Sequence, residues 1–276
     1  MPDFGEWIGR EREILSGLDP WPAAALQNSL QLNSPADPSG LPPLWHWIYF
    51  LETPARDKQG HDGHPRKGDF YPPVEQPRRM FVGGRSRFHR PLGLGRQSVL
   101  SERILSCQSK AGKVGEMILL TVAYEYRQDG DVCVEEERDF MYLPARRGEE
   151  PETRGESEAE IPGHTWQHDL ETDPVLLFKF SALTFNGHRI HYDRDYARAE
   201  ESYPDLVVHG PMTALLLAEL ARANCDKPLR EFSFRARAPL FVGDRLRLRG
   251  DQADEGIKLT AYRPDGKVAM TAEAQI

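Results

Sequence analysis

An asparagine, two histidines, an arginine and an aspartate are gathered in Asn186-Gly187-His188-Arg189-Ile190-His191-Tyr192-Asp193, immediately after the apolar run Phe180-Ser181-Ala182-Leu183-Thr184-Phe185. The Asn-Gly pair marks a turn. Imidazoles near neutral pKa are the usual proton carriers of enzymes, so polar groups this dense beside an apolar strand suit general acid-base work. Spacing alone leaves open the alternative that His188 and His191 are hydrogen-bonded structural residues. A second place for chemistry is Val207-Val208-His209-Gly210-Pro211, which leads straight into an apolar helical segment. A helix start presents unpaired N–H groups and a partial positive charge, which can hold a developing oxyanion. Pro211 has no N–H, so Gly210, with no side chain to block approach, is the natural donor; an ordinary capped helix start fits the same residues equally well.

Three other features carry less. His61 and His64 stand close together in Gly60-His61-Asp62-Gly63-His64-Pro65, but Gly and Pro surround them and no cysteine or further ligand cluster is near, so no metal is expected. Gly83-Gly84 and Gly93-Leu94-Gly95 lack the strand-to-helix context and downstream acid of a dinucleotide site and read as turn or bulge glycines, so no nucleotide cofactor is implied. Cys107, Cys133 and Cys225 are odd in number and far apart, as expected of buried thiols in a reducing cytoplasm.

The elements that must hold these groups show a weak internal repeat. Pro91-Leu92-Gly93-Leu94-Gly95 is followed by Tyr126-Arg127-Gln128-Asp129-Gly130-Asp131-Val132, and Pro239-Leu240-Phe241-Val242-Gly243 by Tyr262-Arg263-Pro264-Asp265-Gly266-Lys267-Val268. Both halves thus read P-L-x-x-G and then Y-R-x-D-G-x-V. Strict alternation in 232–238 and 245–249 predicts strands with one buried face, and the Asp-Gly pairs predict hairpin turns. Met117 to Tyr126 reads as a more buried strand.

Helices are expected over Asp3–Leu15, Trp21–Leu30 and the aromatic run Leu44–Leu51, the last with strand as its alternative. The clearest is Pro211–Ala223, with Met212, Leu215, Leu216, Leu220 and Ala223 at helical spacing behind an N-cap at Gly210. A helix so apolar must be wrapped, and a curled antiparallel sheet can wrap it. An acidic, Gly- and Pro-containing stretch between Ala145 and Gly163 reads as a solvated connector.

With 43 acidic against 35 basic residues and a net charge of -8, the chain is unsuited to holding nucleic acid as its main task. It contains no apolar run long enough to span a membrane. Its first residues, Met1-Pro2-Asp3, place an acid where a secretory signal carries cations, so a cytoplasmic location is expected.

The motifs above resemble a known family. Type-2 enoyl-CoA hydratases and MaoC-like dehydratases carry S-G-D-x-N-P-x-H-x-D, then a strand and H-G before the central helix of a hot-dog fold. Here Asn186 stands at the catalytic Asp position, His188 at the Asn, Arg189 at the Pro and His191 at the catalytic His, with His209-Gly210 opening the helix. The run F-S-A-L-T-F-N-x-H-R-I-H-Y-D resembles the branch of hydroxyacyl-thioester dehydratases type 2 and of mesaconyl-C4-CoA (3-methylfumaryl-CoA) and itaconyl-CoA hydratases. Arg66–Val74 and Arg87–Leu92 resemble their non-catalytic half.

The resemblance implies an α+β double hot-dog: a first unit over 1–148 that shapes the acyl and CoA tunnel, a connector over 149–162 and a catalytic unit over 163–276. It implies Asn186, His191 and Gly210 as the catalytic set, with His188, Arg189, His209, Arg85 and Arg87 toward substrate. Arg189 would clasp a free carboxylate, while pairing with an internal acid is its alternative. Arg85 and Arg87, with Arg235 and Arg237, would meet coenzyme A phosphates or stand on solvated sheet faces. Asn186 can orient water but cannot take a proton, which leaves His191 as the base. The implied activity is hydration of itaconyl-CoA or mesaconyl-CoA to citramalyl-CoA, needing no cofactor beyond the coenzyme A of the substrate. Straight-chain hydratase, thioesterase and non-catalytic acyl-binding protein are the alternatives, and a monomer with an internal pseudo-dimer or a homodimer both fit.

Overall fold

The computed structural model describes residues 4–32, 40–112, 115–146, 153–154 and 158–276. The first half supplies β1 (Glu11–Ser16), helix α1 (Pro20–Ser29), β2 (Arg78–Phe88), β3 (Ser98–Gly112), β4 (Gly115–Gln128) and β5 (Asp131–Leu143). The second supplies β6 (Trp166–Glu171), α2 (Pro174–Leu183), α3 (Arg194–Ala199), α4 (Gly210–Ala223), β7 (Glu231–Ala236), β8 (Arg245–Ala253), β9 (Gly256–Tyr262) and β10 (Val268–Gln275). The strands form one sheet in the order β1-β3-β4-β5-β2-β7-β10-β9-β8-β6, antiparallel throughout.

That order reads the same from either edge when β6–β10 are matched to β1–β5, which is the repeat of the sequence in three dimensions. The P-L-x-x-G motifs fall between β2 and β3 and between β7 and β8. The Asp-Gly pairs turn β4 into β5 and β9 into β10, with Asp129, Gly130 and Gly266 at positive φ. Even the first helices correspond: Asp19 caps Pro20-Trp21 and Asp173 caps Pro174-Val175, each carboxylate accepting from a first-turn N–H at 2.8 Å.

The halves join where β2 pairs with β7, Gly84 opposite Phe234. A β-carbon on Gly83 or Gly84 would come within 3 Å of Phe234, and the register shifts between Phe81 and Gly83. These are bulge glycines that permit a close approach at the seam.

Helix α4 packs against β6 through β10 and reaches β2. Met212 to Ala221 are all buried, and full burial of each leucine contributes about 1.5–3 kcal/mol. Its N-cap is His209 rather than Gly210, one residue earlier than expected.

Three local expectations fail for tertiary reasons. The helix expected over Asp3–Leu15, of which Asp3 lies outside the described residues, is not formed: a single 3-10 turn at Gly5–Trp7 is followed by Gly9 at φ 82°, and Glu11–Ser16 pairs with β3 as a sheet edge. Leu44–Leu51 holds only the 3-10 turn Trp45–Ile48, bracketed by positive φ at Leu44 and Phe50. Its indoles are committed instead, Trp45 Nε1 donating to Glu219 of α4 at 2.8 Å and Trp47 Nε1 to Glu136 at 3.0 Å. The apolar run before Asn186 is the end of α2, not a strand; a short apolar run has no periodicity to tell the two apart.

Much of the acidic connector, 147–152 and 155–157, lies outside the described residues. Its described carbonyls meet the second half, Thr153 accepting from Arg263 at 2.7 Å and Ala159 from Arg247 at 2.8 Å.

Candidate active site

After α2 the chain turns back on itself. The Asn186 N–H donates to Ser181 O at 2.9 Å, and Asn186 Oδ1 accepts the His188 N–H at 3.0 Å. Because a backbone N–H needs an acceptor, this second bond fixes the side-chain orientation: Oδ1 is engaged and Nδ2 is the free donor. One 3-10 turn, Arg189–His191, follows, and Asp193 then caps α3 by accepting the Tyr196 N–H at 3.0 Å.

His191 is the centre of the site. It is 7% exposed and lines a cavity of about 380 Å³ shared by both halves. Its Nδ1 lies 2.7 Å from Val207 O, and a carbonyl only accepts, so Nδ1 carries the proton and Nε2 presents a lone pair. Nε2 makes no hydrogen bond among the described residues and is not among the sealed polar atoms, so it opens to the cavity. Burial, and secondarily the neighbouring His188, push the His191 pKa down to about 3 against the Val207 bond, which keeps the ring neutral.

Beneath His191 lies His209, the rings stacked at 3.7 Å with planes 18° apart. His209 is 0% exposed, its Nε2 is 2.8 Å from Ser181 Oγ, and its Nδ1 has no partner among the described residues. Orphaned buried N–H groups are rarer in folded proteins than under-satisfied acceptors, which assigns the proton to Nε2, donating to Ser181 Oγ. Burial first, then His191 and His188, hold its pKa well below the usual range. The expected contact of His209 with substrate is therefore corrected: it lies under His191, outside the cavity wall.

Gly210 opens α4 and lines the cavity, and its N–H has no partner among the described residues. An N–H left free at a helix start can hold a developing oxyanion. A β-carbon there would meet Phe81 at no less than 3.5 Å, so packing alone does not require glycine.

The other wall comes from the loop that sequence spacing discounted. Gly63, at φ 88°, touches Gly187 so closely that a β-carbon on it would sit 1.8 Å from Gly187 O, and the Arg189 N–H donates to Asp62 O at 2.9 Å. This clasp lays the His64 ring 4.4 Å from that of His188. Asp62, His64 and His188 then offer ligand atoms within 4.8 Å of one another, so a further ligand group does stand near His64, brought by the fold from 124 positions away (188 minus 64). His188 is itself fixed by Glu201, 3.1 Å from its Nε2, and Glu201 pairs with Arg78 at 3.6 Å.

Three arginines do not take the substrate role; each follows the alternative that its sequence position left open. Arg189 projects from its turn onto Asp193 (2.7 and 3.0 Å) and over the Tyr196 ring, leaving the cavity wall to His188, Ile190 and His191. Arg85 pairs with Glu137 and Asp139, and Arg87 with Glu231, as exposed cross-strand ion pairs off the cavity. Residues to which sequence reading assigned no role, Tyr71, Arg79, Tyr124 and Glu201, complete the wall or its support; Tyr71 lies in the Arg66–Val74 segment, the others sit in ordinary strand and loop patterns, and only the fold brings them to the motif.

The family model for hydroxyacyl-thioester dehydratase type 2 matches residues 44–242. The chain is 42% identical to a mesaconyl-C(4)-CoA hydratase of Chloroflexus aurantiacus, covering 99% of this chain and 98% of that one. It is 30% identical to the mitochondrial hydroxyacyl-thioester dehydratase type 2 of Schizosaccharomyces pombe, over 76% and 77%. Among solved structures, a MaoC-like dehydratase from Phytophthora capsici superposes with a TM-score of 0.72 at 13% identity, covering 97% and 96% of the two chains. A Mycobacterium tuberculosis protein with a double hot-dog fold gives 0.58 at 17%, covering 97% and 95%. The α+β double hot-dog expected from the sequence is the fold observed.

Proposed function

This chain belongs to the hydroxyacyl-thioester dehydratase type 2 family, and within it we propose a hydro-lyase that adds water reversibly to the double bond of a short branched dicarboxylyl-CoA, mesaconyl-C4-CoA giving citramalyl-CoA. The observation that carries the chemistry is a neutral His191, its Nε2 open to the same cavity that Gly210 lines at the start of α4. The observation that favours the substrate is the near full-length identity to the Chloroflexus hydratase.

The thioester carbonyl takes the Gly210 N–H, which withdraws electron density from the double bond. Asn186 Nδ2 donates to a water whose proton points at His191 Nε2. As the water oxygen bonds to the β-carbon, Nε2 takes its proton and the double-bond electrons move to the α-carbon and the carbonyl oxygen. Gly210 and the α4 start stabilise that charge, by about 3 kcal/mol for a donor of this kind. The imidazolium returns the proton to the α-carbon, so one water is added and nothing else is consumed. Coenzyme A arrives with the substrate, and the chain's own groups supply every other part.

His191 is a weak base in the free protein. The developing enolate next to it favours its charged form, so its proton affinity rises as the reaction proceeds.

A straight-chain hydroxyacyl thioester is the second reading, favoured by the Schizosaccharomyces relative. Loss of the enoyl-thioester absorbance with mesaconyl-C4-CoA and crotonyl-CoA, and the mass of the hydroxyacyl-CoA product with itaconyl-CoA, whose double bond is not conjugated to the thioester, rank the readings. The dicarboxylyl reading expects mesaconyl-C4-CoA first; faster turnover of crotonyl-CoA overturns it. Binding without turnover of any ester points to an acyl-binding protein, and free thiol to a thioesterase.

A further inference from the structure

A dicarboxylyl substrate needs a cation near the acyl end, and Arg189 is committed to Asp193. Four other guanidinium groups line the cavity: Arg12, Arg79, Arg138 and Arg237. Arg12 is held by Glu52 and Glu102, and Arg138 by Glu136. Arg237 is exposed just beyond β7. Arg79, on β2 opposite Tyr142, is only partly exposed and has no carboxylate within ion-pair distance among the described residues.

Its surroundings are aromatic. The guanidinium carbon lies 4.3 Å from the Phe140 ring centre and 5.2 Å from that of Tyr71, which fix its plane while leaving its N–H groups unspent. Burial opposes its charge, but Tyr142, Tyr71, Tyr124 and Asp62 together favour it, so it remains a cation. Its field reaches His64, whose ring touches His188. His64 is itself neutral, held so chiefly by burial, and cannot supply the charge in place of Arg79.

We propose that Arg79 is the specificity residue that grips the free carboxylate of the substrate through its planar fork, while the thioester end lies at Gly210. A cation withdrawn from water without a partner is costly, and an anionic ligand would relieve that cost. A guanidinium presents paired donors that match a carboxylate in a way an ammonium does not. This assignment rests on the dicarboxylyl reading above.

The test compares kcat/KM for mesaconyl-C4-CoA and crotonyl-CoA in the wild type, Arg79→Gln and Arg79→Lys. The ratio favouring the dicarboxylyl ester should fall about 100-fold in Arg79→Gln and less in Arg79→Lys, as when one partner of a buried charge pair is removed. Methylating the free carboxylate should cost the wild type a similar factor and cost Arg79→Gln little. Should Arg79→Gln fail to fold, the comparison of acid and methyl ester in Arg79→Lys replaces it, and a preference for the acid as large as the wild type's overturns the assignment. An unchanged ratio in Arg79→Gln, with the wild type still preferring mesaconyl-C4-CoA, overturns Arg79 alone. A wild type that prefers crotonyl-CoA overturns the substrate reading, and the assignment with it.

Discussion

The imidazoles of His191 and His209 stack at 3.7 Å, yet only His191 reaches the cavity, and each ring is oriented by one hydrogen bond, His191 to Val207 O and His209 to Ser181 Oγ. His191 is thus backed by a buried partner outside the cavity wall.

Replacing Ser181 by Ala leaves the His209 Nε2–H buried without an acceptor. The expected cost is about 1–3 kcal/mol of stability, with a fall in kcat as the ring under His191 loses its orientation. Thermal unfolding and kcat measured on one preparation check this; an unchanged kcat in a destabilised protein would separate Ser181 from the placement of His191.

The acid limb of activity should lie unusually low. kcat/KM reports the free enzyme, where His191 must be neutral to act, and its pKa is about 3. The rate should therefore hold down to about pH 5, where an unperturbed histidine would be neutral in only about 3% of molecules. A limb between pH 6 and 7 would contradict the assigned environment.

Stability should fall as the solution is acidified from pH 7. His46, His64, His191 and His209 are all held below the ordinary histidine value, burial being the first cause for each. Below about pH 6.5 the unfolded chain binds protons that the folded chain refuses, and the loss is at most about 1.4 kcal/mol per histidine at pH 5.5. Glu136, held at about 2 against its own burial, first by Arg138 and then by His46, adds a loss in the same direction below about pH 4.5. Urea unfolding at pH 7.5 and 5.5 measures this; equal or greater stability at pH 5.5 would contradict it.

Gly210→Ala should fold and fail. The added β-carbon meets only Phe81, at ordinary contact distance, but it stands in the cavity at the oxyanion donor. kcat/KM should fall about 100-fold, as for a misplaced reacting group, with little change in the unfolding midpoint. Undiminished activity would remove Gly210 from the site.

Much of this was legible in the sequence. The repeat, the hairpins and the central helix followed from alternation, Asp-Gly pairs and helical spacing, all local signals that the tertiary structure reinforces. His191 and Gly210 were readable as candidates because both lie in short motifs, Asn186 to His191 and His209-Gly210, and the fold brings both to one cavity. Where an expected substrate contact fails, the side chain has turned to a partner that spacing alone does not reveal. Arg189 turns to Asp193, His209 is sealed under His191, and Arg85 and Arg87 meet acids on neighbouring strands. His64 could be found only once Gly63 had met Gly187, and Arg79 sat unremarked in a strand whose pattern says nothing of which cations stay unpaired.

The most direct test of the central claim is incubation of wild type and His191→Gln with mesaconyl-C4-CoA in ¹⁸O-labelled water, followed by mass analysis of the thioester. The wild type should yield a hydroxyacyl-CoA carrying one labelled oxygen and no free coenzyme A, and the variant, folded to the same unfolding midpoint, should be slower by about 10³-fold or more. Label incorporation by His191→Gln at the wild-type rate, or release of free coenzyme A by the wild type, would contradict it.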